Sequence, residues 1–452
     1  MKILQVIHSF PPYNTAGSEV YTYNLSQELS KRHWVFVFHR INNLHMKEYT
    51  LTYNKLDNLE IFRINNTFRL YNSFEMTYKN DAIAEKFSLV LDQVKPDIVH
   101  VQHLLYLSTK IIEEVKKRKI PVVFTIADYW LICPQGQLLS NNWVACDGEN
   151  NSECINCILH QLSIKKSVFS TYYFLKRSVP ESLLQFAKNT YLGCCRFLFL
   201  TKNKALDLID ERISYMKGIC PKVDLFISPS KFLRRKFIEF GIPKDKIIFL
   251  PYGFKLANFK DSQKIYSCRL RFGFIGNLIP AKGIHILIES FNKIKNNNAE
   301  LRIYGQDMSY KGILGNYFHR IKKMVKNKNI KFMGGFDNRN VVEIFREIDV
   351  LVVPSIWYEN SPLVIQEALA SKTPVIASNI GGILELVKDR ENGLLFNTND
   401  VIDLYEKISL ILDNPKLMED LRKNTRFPKS INVNAREIEN IYADLLANAK
   451  NN

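Results

Sequence analysis

The chain alternates short, almost wholly apolar segments with segments whose apolar residues recur at helical intervals. The first apolar segment is KILQVI, and WVFVFH follows it after a segment that carries Val20, Leu25 and Leu29 at helical spacing. Strands that are apolar on both faces belong to sheets covered by helices on both sides. Alternation of such strands with helices favours parallel pairing. The sequence therefore predicts an α/β protein built from βαβ units.

The same alternation recurs in two separate sets. The first set includes PDIVHVQH, IPVVFTIAD and VDLFISPS, and the second includes RFGFIGNL, ELRIYG, DVLVVPS and TPVIAS. Because 452 residues exceed one compact core, we predict two doubly wound, Rossmann-like domains facing across a cleft. Their expected bounds are 1–262 and 263–430, with a final helix over 431–452 and a hinge-forming linker near 255–264.

Basic charge is concentrated in one part of the chain. The formal net charge is +17, and residues 158–260 contain 19 basic and 7 acidic residues, an excess of 12. Residues 158–222 form an insertion in the first domain that is helical in pattern, basic and aromatic, as interfacial segments are. The insertion suits either an anionic membrane surface or a helical pair packed on its own domain. The chain contains no RNA-binding motif, so no nucleic-acid partner is expected.

Neither a membrane span nor an export signal is evident in the sequence. The longest candidate apolar run, 192–200, contains Arg196 and is far shorter than the roughly 20 residues that a spanning helix needs. The start, MKILQVIHSFPP, lacks a small-residue cleavage site and is typical of a buried strand. We expect a cytoplasmic protein that associates peripherally with the inner face of the membrane.

The motif with the most specific chemistry is PSIWYENSPLVIQEALASKTPVIAS. Glu359 lies in the loop after a strand, Pro362 suits the first turn of the following helix, and Glu367 comes eight positions after Glu359. A helix N-terminus binds phosphate, and nearby carboxylates accept hydrogen bonds from sugar hydroxyls. The alternative is that Glu359 and Glu367 are solvated charges on a loop and a helix.

This motif resembles the E-x7-E signature of the retaining glycosyltransferases of family 4. The resemblance extends over nearly the whole chain outside 158–222, through PPYNTAGSEVYTYNLSQEL, PDIVHVQHLLYLS, DLFISPSKF, LPYGF, FIGNLIPAKG and LRIYGQ in that order. It implies the GT-B fold and transfer of a sugar from a nucleotide diphosphate donor, with retention of configuration and without a catalytic metal. The implied acceptor is a glycan or a polyprenyl-linked molecule of bacterial surface polysaccharide synthesis.

The resemblance also implies roles for particular residues. Glu367 is similar to the carboxylate that accepts the donor ribose hydroxyls, Glu359 to the one beside the transferred sugar, and Lys282 to the lysine that neutralises the diphosphate. We expect Glu359, Lys282 and Asp128 to be catalytic, and His103 to lie on the acceptor side. The expected donor-binding residues are Gly17, Ser18, Gly276, Asn277, Lys282, Glu359, Asn360, Ser361, Pro362, Leu363 and Glu367.

Two positions depart from the family pattern. The family commonly has Arg at the position of Asn277, so a second phosphate-binding cation is absent there. The subgroup that this chain resembles reads His-Asp-Tyr-Trp at 127–130, whereas this chain has Ala127. Asp128, Tyr129 or His103 would then replace the contact to the sugar, or activity would be weak.

Four cysteines form a second cluster in the sequence: Cys133, Cys146, Cys154 and Cys157. Four thiolates suit a tetrahedral structural zinc ion, and Cys154 and Cys157 have the spacing of a chelating pair. The alternative is that the thiols are reduced or linked as disulfides. Zinc held by four protein ligands has no open position, so no cofactor is expected in catalysis.

Two further functions are compatible with the pattern. A sugar-nucleotide epimerase on the same architecture would need paired carboxylates and histidines as acids and bases. A non-catalytic module that binds a sugar nucleotide or a membrane would explain Ala127. Sugar transfer, as opposed to donor binding alone, distinguishes these functions from a glycosyltransferase.

Overall fold

A computed structural model shows an α/β chain with two separate sheets. It describes residues 1–13, 16–140, 142–148, 153–155, 157, 202–255, 259, 263–307, 317–337 and 340–451. Within this part of the chain, the two sheets confirm the predicted α/β class and its doubly wound halves. The predicted insertion lies partly outside these residues, since only its end, 202–222, is described.

The first sheet has eight strands in the order β3-β4-β2-β1-β5-β6-β7-β8. All neighbours pair in parallel except β3 and β4. That antiparallel hairpin, at the sheet edge, is absent from the sequence prediction. The strands are β1 Lys2–Ile7, β2 Trp34–Ile41, β3 Leu51–Leu56, β4 Leu59–Asn65, β5 Ile98–Val101, β6 Val122–Thr125, β7 Leu225–Ser228 and β8 Ile247–Phe249.

Helices on both faces bury the central strands of this sheet. Strands β5 and β6 are buried at every residue, which is why their sequences are apolar throughout. Side-chain caps help to start two of the helices: the Asn80 side chain accepts from the Ile83 N–H, and the Ser230 side chain accepts from the Leu233 N–H. The described helices here are α1 Gly17–Leu29, α2 Asp81–Val94, α3 Lys110–Lys117, α4 Lys202–Ile219 and α5 Lys231–Phe240.

The second sheet has six strands, all parallel, in the order β11-β10-β9-β12-β13-β14. This order reverses between β9 and β12, the position where doubly wound sheets form a ligand crevice. The strands are β9 Leu270–Ile275, β10 Ala299–Tyr304, β11 Ile330–Gly334, β12 Val350–Val353, β13 Val375–Ser378 and β14 Gly393–Phe396. The described helices are α6 Ile284–Asn292, α7 Tyr317–Met324, α8 Val341–Arg346, α9 Leu363–Ala370, α10 Ile383–Leu386, α11 Val401–Asp413 and α12 Pro415–Lys423.

The last helix, α13 Ile431–Asn451, returns to the first half of the chain. Its buried Tyr442 hydroxyl lies 2.5 Å from His100 Nδ1, and Gln5 Nε2 donates to the same hydroxyl over 3.3 Å. The Tyr21 hydroxyl donates to Asn434 Oδ1 over 2.9 Å. The sequence predicted this helix but not its packing against the first half of the chain.

The chain crosses between the halves twice, and the two crossings lie side by side. Phe254 N–H donates to the Lys429 carbonyl, and Ile431 N–H donates to the Phe254 carbonyl, both over 2.9 Å. A Cβ on Gly253 would lie 2.6 Å from the Ser430 carbonyl oxygen, so the crossings meet in backbone contact. The domain bounds at 262 and 430, and the hinge at 255–264, stay predictions.

Candidate active site

Glu359 is a buried carboxylate held by three hydrogen bonds. It follows β12 in the loop before α9, and only 4% of the residue is exposed. Its Oε1 accepts from three donors: Lys282 Nζ at 2.6 Å, the Ser355 hydroxyl at 2.7 Å and Trp357 Nε1 at 2.9 Å. A buried carboxylate needs such partners. The structure thus brings together Glu359 and Lys282, which the sequence placed in one site.

A glycine positions Lys282 against the Glu359 loop. Lys282 ends a short 3-10 turn over Pro280–Lys282, and Gly283 follows with φ of 67°. A Cβ on Gly283 would lie 1.8 Å from the Pro354 carbonyl oxygen, which no side chain can tolerate. Glycine is therefore required both by the close approach and by the left-handed backbone. The Lys282 ammonium also lies 5.6 Å from the centre of the Trp357 ring, within cation–π range.

Glu367 lies one turn into α9 and has no such partners. Its side chain makes no hydrogen bond or ion pair with the described residues, although the residue is partly buried. Burial raises the pKa of Glu367 to about 7. A carboxylate without hydrogen-bond donors in a partly dry site can accept them from a ligand.

The other predicted donor residues surround the same loop. Pro362 stands at the N-cap of α9, so the helix begins at Leu363, one residue after the predicted first turn. A methyl group on Gly17, the first residue of α1, would lie 3.5 Å from the Leu363 side chain. The N-termini of α1 and α9 therefore face each other. Ser18 donates to Glu19 Oε2 over 2.9 Å, Gly276 and the exposed Asn277 follow β9, and Ser361 precedes Pro362.

The first domain contributes two histidine–carboxylate pairs. His103 Nε2 lies 2.9 Å from Asp128 Oδ2, and His8 Nε2 lies 3.1 Å from Glu19 Oε1. The two imidazole rings are 4.6 Å apart, edge to face. Since Leu105 N–H donates to His103 Nδ1, the proton of neutral His103 sits on Nε2 and points at Asp128. The predicted residues His103 and Asp128 are thus in contact.

The carboxylates control the ionisation of these pairs. Burial alone would lower the pKa of His103, but the charge and hydrogen bond of Asp128 hold it above its ordinary value. Burial alone would raise the pKa of Glu19, but the hydrogen bond and charge of His8 hold it below its ordinary value. Asp128 thus favours the protonated form of His103, and His8 favours the ionised form of Glu19.

His8 and Glu19 are site residues that the sequence analysis missed. His8 follows β1, just as His103 follows β5 and Asp128 follows β6, and these three strands are neighbours in the sheet. Residues at the carboxyl ends of adjacent parallel strands meet at the crevice. The position of His8 directly after a predicted strand could therefore have indicated it as a site residue.

The backbone of Ala127 is hydrogen-bonded to the Glu359 loop of the second half. Asn360 Nδ2 donates to the Ala127 carbonyl over 3.1 Å, and Ser230 donates to Asn360 Oδ1 over 2.7 Å. Tyr129 is fully buried, and its hydroxyl has no hydrogen-bond partner within the described ranges. Of the three proposed replacements for the missing histidine, Asp128 and His103 form one polar pair, whereas Tyr129 is packed in the core.

The four clustered cysteines line one cavity of about 300 Å³. Cys133, Cys146 and Cys154 carry free thiols, and burial raises the pKa of Cys146 to about 11 and that of Cys154 to about 12. As the side chains stand, the described residues contain no group of three or more histidine, cysteine, aspartate or glutamate side chains arranged to hold a metal ion.

Two family models match the chain, one in each half. Residues 15–144 match Glycosyltransferase Family 4, and residues 257–427 match Glycosyl transferases group 1. The chain thus has the GT-B fold, with a glycosyltransferase-family domain in each half. Sucrose-phosphate synthase from Thermosynechococcus elongatus has the same fold over 99% of both chains, with a TM-score of 0.68 and 17% identity. Anabaena HepE, solved in complex with UDP and glucose, matches this glycosyltransferase with a TM-score of 0.63 and 14% identity over 98% of this chain and 99% of HepE.

Curated relatives of this glycosyltransferase vary in the length that they share with it. An uncharacterized glycosyltransferase of Methanocaldococcus jannaschii is 28% identical over 236 residues, which are 49% of this chain and 57% of the relative. An uncharacterized 42.6 kDa protein in the cps region of Klebsiella pneumoniae is 25% identical over 415 residues, 89% of this chain and 91% of the relative. The chain spans about half the length of the first curated relatives that it matches.

The raised pKa of Glu367 predicts a pH-dependent effect of Glu367→Gln. Between the ordinary pKa of 4.5 and about 7, the folded parent binds more protons than the unfolded chain, so the parent loses stability as pH rises. Glutamine cannot ionise. We expect the free energy of unfolding of the variant, measured by urea unfolding, to rise by about 1–3 kcal/mol relative to that of the parent as the pH increases from 5 to 8.

Glu289→Gln provides the matched control, because Glu289 is an exposed glutamate on α6 of the same half. Its stability relative to the parent should stay constant between pH 5 and pH 8. If the stability difference between Glu367→Gln and the parent were also constant over this pH range, the raised pKa of Glu367 would be contradicted.

Proposed function

We propose that this glycosyltransferase moves a sugar from a nucleotide diphosphate donor to a glycan or polyprenyl-linked acceptor with retention of configuration. One observation carries the proposal: Lys282 is paired with Glu359 at the mouth of the helix that carries Glu367, whose side chain has no partner in the described part of the chain. HepE, which shares the fold, was solved with UDP and glucose. The donor would occupy the crevice of the second sheet.

Each part of the donor has a matching group in this crevice. The Glu367 carboxylate would accept hydrogen bonds from the ribose hydroxyls. The Lys282 ammonium and the N-terminal N–H groups of α9 and α1 would hold the diphosphate. Glu359 would lie beside the transferred sugar, with its orientation fixed by Ser355 and Trp357.

The same groups favour departure of the nucleotide. As the bond from the anomeric carbon to the phosphate oxygen breaks, negative charge grows on the diphosphate beside Lys282 and the helix N-termini. The acceptor oxygen bonds to the anomeric carbon from the face that the phosphate leaves, and its proton passes to the departing phosphate oxygen. Retention follows from this shared face.

The acceptor would enter on the side of the two histidine–carboxylate pairs. Asp128, with 26% of its side chain exposed, and His103 offer charged hydrogen-bonding groups to a hydroxyl or an anionic head group. The similarity to a protein of a cps region supports a role in bacterial surface polysaccharide synthesis.

The histidine–carboxylate pairs also meet the requirement that an epimerase sets for acids and bases. Both pairs lie in the first domain, however, and the two family models that match are those of glycosyltransferases. Transfer of sugar to an acceptor, measured with purified protein and a panel of nucleotide sugars, separates a transferase from an epimerase and from a non-catalytic module.

The two glutamates should have different kinetic roles. We expect Glu367→Ala to weaken UDP binding by roughly 1.5–3 kcal/mol, because a charge-assisted contact is lost. Glu359→Ala should instead lower turnover, with a much smaller change in UDP affinity. Isothermal titration at pH 8 measures the binding. If Glu367→Ala bound UDP as tightly as the parent, the assignment of the ribose contact would be wrong.

We also propose that Cys133, Cys146, Cys154 and Cys157 hold a structural zinc ion. Zinc would displace the thiol protons and draw the side chains into a tetrahedron. A buried arginine that interacts electrostatically with Cys133 and Cys154 supports this. Arg212 is 1% exposed, makes no ion pair with a carboxylate among the described residues, and has no partner for Nη1. Zinc with four thiolates carries a net negative charge that would balance this guanidinium.

Elemental analysis tests the zinc proposal. Untagged protein prepared without added metal should contain about one zinc per chain, and Cys154→Ser should lose it. Cys268→Ser is the control, because Cys268 is exposed and lies outside the cluster. Absence of zinc from the parent, with thiols that titrate freely, would contradict the proposal.

An anionic membrane surface is the remaining partner that we propose. The described residues include no helix long and apolar enough to cross a bilayer. Attraction would come from the basic region 158–260, at about 1 kcal/mol for each residue near the surface. Cosedimentation with anionic vesicles should weaken at high salt, and also on replacing Lys165, Lys166, Lys176 and Arg177 with Gln. Equal binding to neutral vesicles would contradict it.

A further inference from the structure

Glu385 of the second half caps a helix of the first half. Its Oε1 accepts the Phe232 N–H over 2.7 Å, and its Oε2 accepts the Lys231 N–H over 2.9 Å. These are the first two residues of α5. The first N–H groups of a helix have no partner within the helix, and a carboxylate there also meets the positive end of the helix dipole. The contact is therefore a bidentate, charge-assisted bond between the halves.

The charge and the aromatic packing at this contact favour the same docking. Helix α5 carries four basic residues and one acidic residue, so a carboxylate at its N-terminus is electrostatically favoured. The Phe232 ring lies 5.1 Å from the ring of Tyr358, the residue before Glu359. Ser230, the N-cap of α5, donates to Asn360, the residue after Glu359. The cap Ser230 and the first two residues of α5, Lys231 and Phe232, thus each contact the Glu359 loop or Glu385.

The backbone joins Glu385 rigidly to the Glu359 loop. Gly382 N–H donates to the Glu359 carbonyl over 2.7 Å. A Cβ on Gly381 would lie 2.7 Å from the Glu359 carbonyl oxygen, and one on Gly382 would lie 1.7 Å from the Asn360 carbonyl oxygen. The segment that carries Glu385 is thus in direct backbone contact with the loop, with no room for a side chain between them.

We infer that Glu385 is a positioning residue, which docks the Glu359 loop onto the N-terminus of α5 and so fixes Glu359 relative to the wall of the first domain. This inference rests on the proposed function, because that wall carries His103 and Asp128 and would receive the acceptor. Glu385 itself is not part of the donor crevice, so its removal should disturb the reacting geometry more than nucleotide binding.

The test compares Glu385→Ala and Glu385→Gln with the parent in the full-length chain. Hydrogen–deuterium exchange should show that the amides of Lys231 and Phe232 lose protection in Glu385→Ala. Glutamine keeps one acceptor oxygen, so Glu385→Gln should retain part of the protection. With a nucleotide sugar that the parent uses, we expect kcat to fall about tenfold in Glu385→Ala, and UDP affinity by titration to change by less than about twofold.

Glu391→Gln is the matched control, since Glu391 lies in the same half with 51% of its side chain exposed and only a 3.7 Å contact to Arg426. It should change neither exchange nor kcat. Unchanged protection in Glu385→Ala, or equal losses of kcat and UDP affinity, would overturn the inference.

The exchange measurement separates the two possible failures. A parent that binds UDP but transfers no sugar to any acceptor would contradict the proposed function, and with it the catalytic consequence of docking. A parent with turnover whose Glu385→Ala variant keeps both its amide protection and its kcat would contradict the inference alone.

Discussion

The ion pair between Lys282 and Glu359 is the interaction on which the site depends. Two charged groups from separate loops are held 2.6 Å apart with little water around the carboxylate, and such a pair is favourable only when further hydrogen bonds complete it. Ser355 and Trp357 supply them from the loop itself. Gly283 brings the Lys282 turn into backbone contact with Pro354, and Gly381 and Gly382 bring a third segment into backbone contact with Glu359 and Asn360.

The two walls of the cleft solve the same electrostatic problem with different residues. The second half pairs a lysine with a glutamate, whereas the first half pairs two histidines with an aspartate and a glutamate. The second half nevertheless responds to pH near neutrality, because burial raises the pKa of Glu367 to about 7. In the first half, Asp128 holds the pKa of the buried His103 above its ordinary value.

Periodicity predicted most of the fold, since strands such as β5, β6 and β12 are buried on both faces and their sequences show it directly. The β3–β4 hairpin escaped prediction because its outer strand, Leu51–Leu56, is only partly buried and mixes polar with apolar residues. The E-x7-E spacing indicated Glu359 and Glu367, and the resemblance of FIGNLIPAKG indicated Lys282. Contacts over long sequence separations, such as the ring contact of His8 with His103 and the cap that Glu385 forms on α5, depend on strand order and domain docking, which local spacing does not encode.

The return of α13 to the first half has a consequence for biosynthesis. Tyr442 and Asn434 complete a core whose other members, Gln5, Tyr21 and His100, are made more than 300 residues earlier. On the ribosome, the first half emerges with His100 bonded to Thr125 and Gln5 bonded to Gln102, but without the Tyr442 hydroxyl that contacts both of them in the folded chain. That half reaches its final packing only after the second half has been synthesised and the last helix has left the exit tunnel. Final packing of the first domain is thereby coupled to synthesis of α13.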